Sequence, residues 1–89
     1  MLNFIHMKDF DLNLLKALDA LIATESVTRM GEQLGITQPA ASRVMTRLRQ
    51  SFGDPLLVRA GRGLVASPRA LELRDSISQL VEDAEAALR

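Results

Sequence analysis

Hydrophobic residues recur every three to four positions near the start of the chain, and this period predicts an amphipathic helix. The helix covers about residues 11–24, and Asp11 is placed to cap its N-terminus. We interpret it as a core helix without chemistry of its own. Its apolar stripe consists of Leu14, Leu15, Leu18, Leu21 and Ile22.

A second, shorter helix is predicted over residues 27–34, with Ser26 or Thr28 as its N-cap. Gly31 lies inside this helix, where it costs about 1 kcal/mol relative to alanine. A residue without a side chain is useful where another helix crosses closely, so Gly31 indicates a helix crossing. Gly35 is placed to end the helix in the left-handed conformation.

The third predicted helix begins at residues 37–39 and extends to Phe52, with proline in its first turn. On a helical wheel one side is apolar, comprising Ala41, Val44, Met45, Leu48 and Phe52. The opposite side carries no acidic residue, which is unusual for a surface helix. It holds Pro39, Ser42, Arg43, Thr46, Arg49 and Gln50, with Arg47 on the flank. A helix, a tight turn and a second helix with this surface favour a helix-turn-helix whose second helix enters the DNA major groove.

Two short strand-like runs follow, at residues 56–59 and 64–66, joined by a basic Ala-Gly-Arg-Gly segment at 60–63. The pattern predicts a β-hairpin. A Gly-Arg-Gly turn alone is a weak motif, because flexible turns often have this composition. Directly after a helix-turn-helix, it is typical of the wing of a winged helix, which contacts phosphates or the minor groove.

The last predicted helix has Ser67 as N-cap and Pro68 at its first position, and it runs to about Leu88. A helix of about 20 residues is ~30 Å long, more than a small winged core needs. Its first turns can pack on the first helix, and its later turns are expected to pair with the same helix of a second subunit. Charged substitutions at Ile77 and Val81 should then produce a monomer. The predicted dimerisation stripe is Leu73, Ile77, Leu80, Val81, Ala84 and Leu88.

The charge distribution changes how the composition is interpreted. The net charge of the 89 residues is zero, which is unusual for a DNA-binding protein. Residues 29–69, however, contain seven arginines against two acidic residues, and the rest of the chain carries the opposite excess. Arginine suits bidentate contacts to phosphate and guanine. A solvated basic face is the alternative for a charge run taken alone.

Composition also excludes several classes of function. The chain has no cysteine, so disulfides, thiolate metal sites and cysteine nucleophiles are absent, and we expect neither metal nor cofactor. Its only histidine, His6, lies in the N-terminal extension, so an enzyme is not expected. With three Phe and no Tyr or Trp, it offers no stacking platform for single-stranded nucleic acid. No apolar run approaches the roughly 18 residues of a membrane span, and we expect a soluble, cytoplasmic protein.

Three segments together resemble the N-terminal DNA-binding domain of LysR-type transcriptional regulators, with the nodulation regulators as the nearest branch. They are DLNLLKAL, SVTRMGEQLGITQPAASRVMTRLRQSFGDPLLVRAGRG and SPRA. The resemblance covers about residues 10–88, and its Gln-Pro-Ala-x-Ser-Arg segment is highly specific. One departure is Met30-Gly31, where the family usually has Ala-Ala, and this is expected to loosen the second helix without removing the DNA surface.

The resemblance implies a mainly α fold: a winged helix-turn-helix with a small β-hairpin wing and a long C-terminal linker helix. Residues 1–66 would form the DNA-binding part and residues 67–89 the linker and dimerisation helix of the same structural unit. The family binds interrupted palindromes in double-stranded DNA as dimers or tetramers. Its small-molecule effector binds a C-terminal domain that has no counterpart in these residues.

Residue by residue, the resemblance and the side-chain chemistry together give one set of candidate DNA contacts. The winged-helix protein-interaction module that reads no DNA remains the alternative, and it would require an apolar patch on the third helix. RNA is less favoured, because A-form grooves do not admit a helix. The predicted DNA-binding residues are Ser26, Thr28, Thr37, Gln38, Pro39, Ala40, Ser42, Arg43, Thr46, Arg47, Arg49, Gln50, Arg59 and Arg62.

Overall fold

The computed structural model describes residues 11–89, so the expectation for His6 lies outside the described residues. In this described part, four helices and one hairpin follow one another. They are α1 (Leu12–Thr24), α2 (Val27–Leu34), α3 (Gln38–Phe52), β1 (Leu57–Ala60), β2 (Gly63–Ala66) and α4 (Pro68–Ala87). The predicted mainly α, winged helix-turn-helix architecture is confirmed.

Each helix begins with a polar side chain that accepts a hydrogen bond from a backbone N–H of its first turn, which satisfies a donor that has no partner within the helix. The predicted caps of α1 and α4 are confirmed. For α2 the two alternatives are resolved in favour of Ser26, whose hydroxyl accepts from Arg29 N–H at 3.1 Å. The four capping residues are Asp11, Ser26, Thr37 and Ser67.

The core is built around α1, which contacts α2 and α3 on one side and α4 on another. Leu18 and Leu21 of α1 are fully buried, as are Met30 of α2 and Leu48 of α3. The predicted apolar stripes therefore meet in one cluster. Partly buried side chains close its edges: Leu15, Val27, Leu34, Ile36, Val44, Phe52 and Leu73.

The hairpin is shorter at its base and tighter at its tip than the sequence pattern predicts. The antiparallel register pairs Leu57 with Ala66 and Ala60 with Gly63, which leaves a two-residue turn instead of the four-residue loop expected. Gly61 occupies that turn with φ 58°, a conformation that glycine adopts without strain. Leu56, predicted to start the first strand, is instead buried ahead of it with φ 65°.

Two carboxylates hold the base of the hairpin against the helices. Asp54 accepts hydrogen bonds from Leu56 N–H at 2.8 Å and from the Ser67 hydroxyl at 2.7 Å. Glu25, at the junction of α1 and α2, accepts one from Ala66 N–H. The bonds from Ser67 and Ala66 join positions 13 and 41 residues apart in sequence, so they fix the direction in which the hairpin leaves the core.

The hydrogen bonds to Asp54 give its carboxyl group a pH-dependent role in stability. The Ser67 hydroxyl, and then Leu56 N–H, lower the pKa of Asp54 below its usual value of 3.8. Because the folded state favours the charged form, the resulting stabilisation is complete above the unfolded pKa and is lost as the pH falls through the lower, folded pKa.

Asp54→Asn should therefore be less stable than the wild type at pH 7, and the difference should shrink below about pH 3.8, near the ordinary aspartate pKa. Urea denaturation followed by circular dichroism at pH 7, 5 and 3 measures this. Asp75→Asn is the matched control, because the Asp75 side chain is 98% exposed. A difference that stays constant with pH would contradict the role assigned to Asp54.

Candidate nucleic-acid interface

The segment from α2 to α3 has the geometry of a helix-turn-helix. Gly35 ends α2 in the left-handed conformation, with φ 68°. Ile36 N–H donates to the Gly31 carbonyl at 3.0 Å, which closes the turn. Thr37 then caps α3, and proline occupies its first turn. The turn residues predicted from sequence are confirmed in these positions.

The predicted helix crossing lies at Gly31. A β-carbon at this position would lie 3.0 Å from the β-carbon of Ala41 in α3, closer than ordinary van der Waals contact. Gly31 and Ala41 are both buried, so the two helices approach at their backbones. This close approach sets the position of α3 relative to α2.

The polar side of α3 faces solvent, as the helical wheel predicts. Only Ala40, among the candidates on this helix, is partly buried. The surface carries three arginines and no carboxylate, so it is complementary to the phosphate backbone of DNA. The exposed candidates on α3 are Gln38, Pro39, Ser42, Arg43, Thr46, Arg47, Arg49 and Gln50.

Several candidate side chains also have structural partners. Arg49 Nε donates to the Pro55 carbonyl at 3.1 Å, which ties the end of α3 to the loop before the hairpin. The Thr46 hydroxyl donates to the Ser42 carbonyl one turn earlier, at 3.1 Å. Arg47 lies on the flank of α3 and lines a groove that also includes residues of α1. These residues are exposed, but their contacts within the chain favour a role in positioning α3 over direct contact with bases.

The N-terminal ends of α2 and α3 present hydroxyl groups beside backbone N–H groups. The oxygens of Ser26 and Thr37 accept capping hydrogen bonds, while each hydroxyl retains a proton to donate. Thr28 is exposed in the first turn of α2, and so is Arg29, which was counted in the charge but not among the candidates. Such helix ends suit phosphate.

The wing presents both predicted arginines to solvent. Arg59 is exposed on β1, and Arg62 is exposed in the turn. Two apolar side chains that were not predicted as part of the surface are exposed on β2, Leu64 at 44% and Val65 at 37%. Leu64 and Val65 are adjacent, so their side chains point to opposite faces of β2. A hairpin packed on one face would have buried one of them, and the sequence therefore did not predict that both are exposed.

The structure divides the predicted dimerisation stripe on α4 into buried and exposed side chains. Ile77 and Val81 are each only 6% exposed within the single chain, and α4 lies along α1 even in its later turns, where Lys16 pairs with Glu85 at 3.6 Å. Within the single chain, both side chains therefore belong to the core. Leu73 and Ala84 are partly buried.

The large exposed apolar side chains of α4 and its C-cap residue are Leu71, Leu80 and Leu88, at 48%, 52% and 74%. Leu71 was not predicted, because it lies off the stripe on the helical wheel. Leu80 and Leu88 remain as members of the predicted stripe that another chain could cover.

Within residues 11–89 there is no group of three or more His, Cys, Asp or Glu placed to hold a metal ion. In the same part of the chain, no helix combines the length and hydropathy that crossing a membrane requires. In the described residues, the candidate DNA-binding side chains lie on α3, at the N-terminal ends of α2 and α3, and on the wing.

A helix-turn-helix followed by a two-stranded basic wing and a long helix defines the class of winged helix-turn-helix DNA-binding domains. The family model described as "Bacterial regulatory helix-turn-helix protein, lysR family" matches residues 12–71. The chain therefore belongs to the LysR family of bacterial transcriptional regulators, as the sequence resemblance predicted.

Nodulation and related regulators are among its relatives. Nodulation protein D 2 of Sinorhizobium fredii is 44% identical over 73 residues, covering 82% of this chain and 23% of that protein. The HTH-type transcriptional regulator SyrM of Rhizobium etli is 46% identical over 69 residues, covering 78% of this chain and 20% of that protein. The chain thus spans less than a quarter of the length of these two relatives.

Solved structures show the same fold. A probable transcriptional regulator from Pseudomonas aeruginosa superposes with a TM-score of 0.82 at 30% identity, over 93% of this chain and 28% of that one. The BenM DNA-binding domain in complex with catB site 1 DNA superposes with a TM-score of 0.76 at 24% identity, over 89% of both chains. At 24% identity, the likeness to the BenM domain shows a shared fold and nothing more.

Proposed function

We propose that this domain reads double-stranded DNA sequence-specifically by inserting α3 into the major groove, as a homodimer on an interrupted palindrome. The observation that carries the proposal is the exposed, acid-free face of α3, presented by a helix-turn-helix and flanked by a basic wing. The domain acts through binding and not through catalysis, and it meets DNA in the bacterial cytoplasm.

Base reading is assigned to the first two turns of α3. Arg43 can bond the O6 and N7 edge of guanine or a phosphate, and Gln38 can pair with an adenine edge. Pro39 and Ala40 can contact a thymine methyl group. Ser42, one position before Arg43, can bond a phosphate oxygen.

Phosphate contacts are assigned to the later turns of α3 and to the surrounding elements, where they position the domain without reading sequence. The ends of α2 and α3 supply hydroxyl groups beside helix N-termini, and the wing supplies two arginines. Positioning residues are Ser26, Thr28, Thr37, Thr46, Arg47, Arg49, Gln50, Arg59 and Arg62.

The homodimer would form through the exposed apolar residues of α4, chiefly Leu80 and Leu88. Two copies of α3 should then reach successive major grooves, roughly 34 Å or a multiple of it apart. Tetramers, and a small-molecule effector bound through a further C-terminal domain, belong to the proposal for a longer regulator, in which residues 1–66 read DNA and residues 67–89 link the domains.

Selection of DNA from a random pool tests sequence reading directly. A winged helix that reads DNA should enrich one motif as an inverted repeat, which gives half-site and spacing together. Failure to enrich any motif, together with retention of a protein partner, would favour the protein-interaction module instead. That alternative has little support on α3, whose exposed face is polar.

Arg43→Ala should weaken binding to the selected site by about 1–3 kcal/mol, because it removes a base or phosphate contact at the centre of the reading face. Fluorescence anisotropy with a labelled duplex measures the change. Arg74→Ala is the matched control, since Arg74 is exposed on α4 and away from α3. Unchanged affinity of the Arg43 variant would remove this residue from the recognition surface.

A further inference from the structure

Gly31 faces the first residue of α3 as well as its buried side. A β-carbon at position 31 would lie 3.2 Å from Gln38 Nε2, in addition to its 3.0 Å approach to Ala41. The amide of Gln38 therefore packs over the backbone of α2 in space that an alanine would fill.

The same amide has a hydrogen-bond partner on α2. Gln38 Nε2 donates to the Thr28 carbonyl at 3.4 Å. A carbonyl oxygen can only accept, so the nitrogen of the amide faces α2 and the oxygen is left for another partner. Gln38 is exposed at the beginning of α3. Its hydrogen bond to α2 therefore orients the amide before any ligand binds.

We infer that Gly31 is a specificity-determining residue, which lets the Gln38 amide lie on α2 with its oxygen free to accept from a base. The inference rests on the proposed DNA-reading function of α3. An amide oxygen held in this way favours a base that offers a donor in the major groove. Adenine does so through N6, and the second proton of Nε2 can donate to its N7.

A β-carbon at position 31 would disturb this arrangement through the group that moves most easily. Ala41 is fully buried and its β-carbon is fixed to the backbone of α3. The Gln38 amide is the end of a flexible side chain, so it moves more easily, by a few tenths of an ångström, and this shift breaks its hydrogen bond of 3.4 Å to the Thr28 carbonyl. Once it leaves the Thr28 carbonyl, the amide can rotate and present either its oxygen or its nitrogen to the DNA, and the preference for a donor-bearing base is lost.

Selection from a random DNA pool with four proteins tests this role: wild type, Gly31→Ala, Gln38→Ala and the matched control Gln33→Ala, an exposed change on α2. Gly31→Ala should relax the same base position that Gln38→Ala relaxes, by roughly 5- to 150-fold in relative preference, the range of one bidentate base contact. The double variant Gly31→Ala/Gln38→Ala should be no more relaxed there than Gln38→Ala alone. Gln33→Ala should keep the wild-type motif.

The outcomes separate this inference from the proposed function. A wild type that enriches no motif would overturn the proposed function. A wild type with a motif that Gly31→Ala leaves unchanged would overturn the inference alone. A Gly31→Ala motif altered over the whole half-site would also overturn it, because that result assigns Gly31 to helix spacing instead of amide orientation.

Two further measurements keep the inference testable. Amide NMR of the DNA-free wild type should show distinct, dispersed resonances for the Gln38 side-chain protons. In Gly31→Ala these chemical shifts should move to those of a freely solvated glutamine amide. Identical resonances in both proteins would contradict the inference.

If Gly31→Ala does not fold, Gln38→Glu retains the length of the side chain but cannot donate to the Thr28 carbonyl. It should change the preference at the same base, and retention of the wild-type preference would contradict the inference.

Discussion

Substitution of Ile77 by aspartate should unfold the domain, and not merely separate two subunits. Ile77 is buried in the core cluster between α4 and the rest of the chain. Truncating such a side chain costs about 2–5 kcal/mol, and a charge without a buried partner adds to this loss. Native domains are stable by only about 5–15 kcal/mol. Urea denaturation followed by circular dichroism should show a large decrease in the midpoint or no folded baseline.

Leu80→Asp is the matched control for this experiment. Leu80 lies on the same helix and is 52% exposed, so the variant should keep the stability of the wild type. If α4 forms the dimer interface, light scattering should show Leu80→Asp as a folded monomer. A folded, monomeric Ile77→Asp would show that the burial of Ile77 within one chain is wrong, and it would restore the stripe predicted from sequence.

Binding to DNA should fall steeply with salt. Each neutralised phosphate releases condensed counterions, so a dimer that contacts six to ten phosphates should lose roughly 10³- to 10⁵-fold in affinity between 50 and 200 mM salt. The expectation follows from the segregation of charge along the chain, in which arginines occupy α3 and the wing. Anisotropy titrations on the selected duplex at four salt concentrations measure the slope.

The wing contributes to this slope through Arg62, which is exposed in the hairpin turn. Arg62→Ala should reduce the slope by about one for each subunit and weaken binding to all sequences about equally. Arg74→Ala should leave the slope unchanged. A flat dependence in the wild type would contradict phosphate binding and favour the protein-interaction module.

The candidate interface was largely predictable because its parts are close in sequence. Helix caps, the glycine after α2 and the proline in α3 act within a few residues of their own position. The exposed face of α3 follows from the period of its apolar residues. The family resemblance then added the roles of Gln38 and Arg43, which remain proposals.

The parts that could not be predicted depend on neighbours far away in sequence. The positive φ of Leu56 accompanies its hydrogen bond to Asp54 and its burial, and neither signal is present in a run of strand-forming residues. The bond between Glu25 and Ala66 spans 41 positions. No local pattern marks a carboxylate that will accept from a distant backbone N–H.

The sequence by itself determined which residues form helices, the approximate bounds of each helix, and which side of each is apolar. These properties depend on local hydrogen bonds and on the helical period. The tertiary structure alone decided what each apolar side meets: α1 covers Ile77 and Val81, and the backbone of α2 at Gly31 receives Gln38. The reason is geometric, because a period gives the angle of a residue around its own helix but not the position of the neighbouring helix.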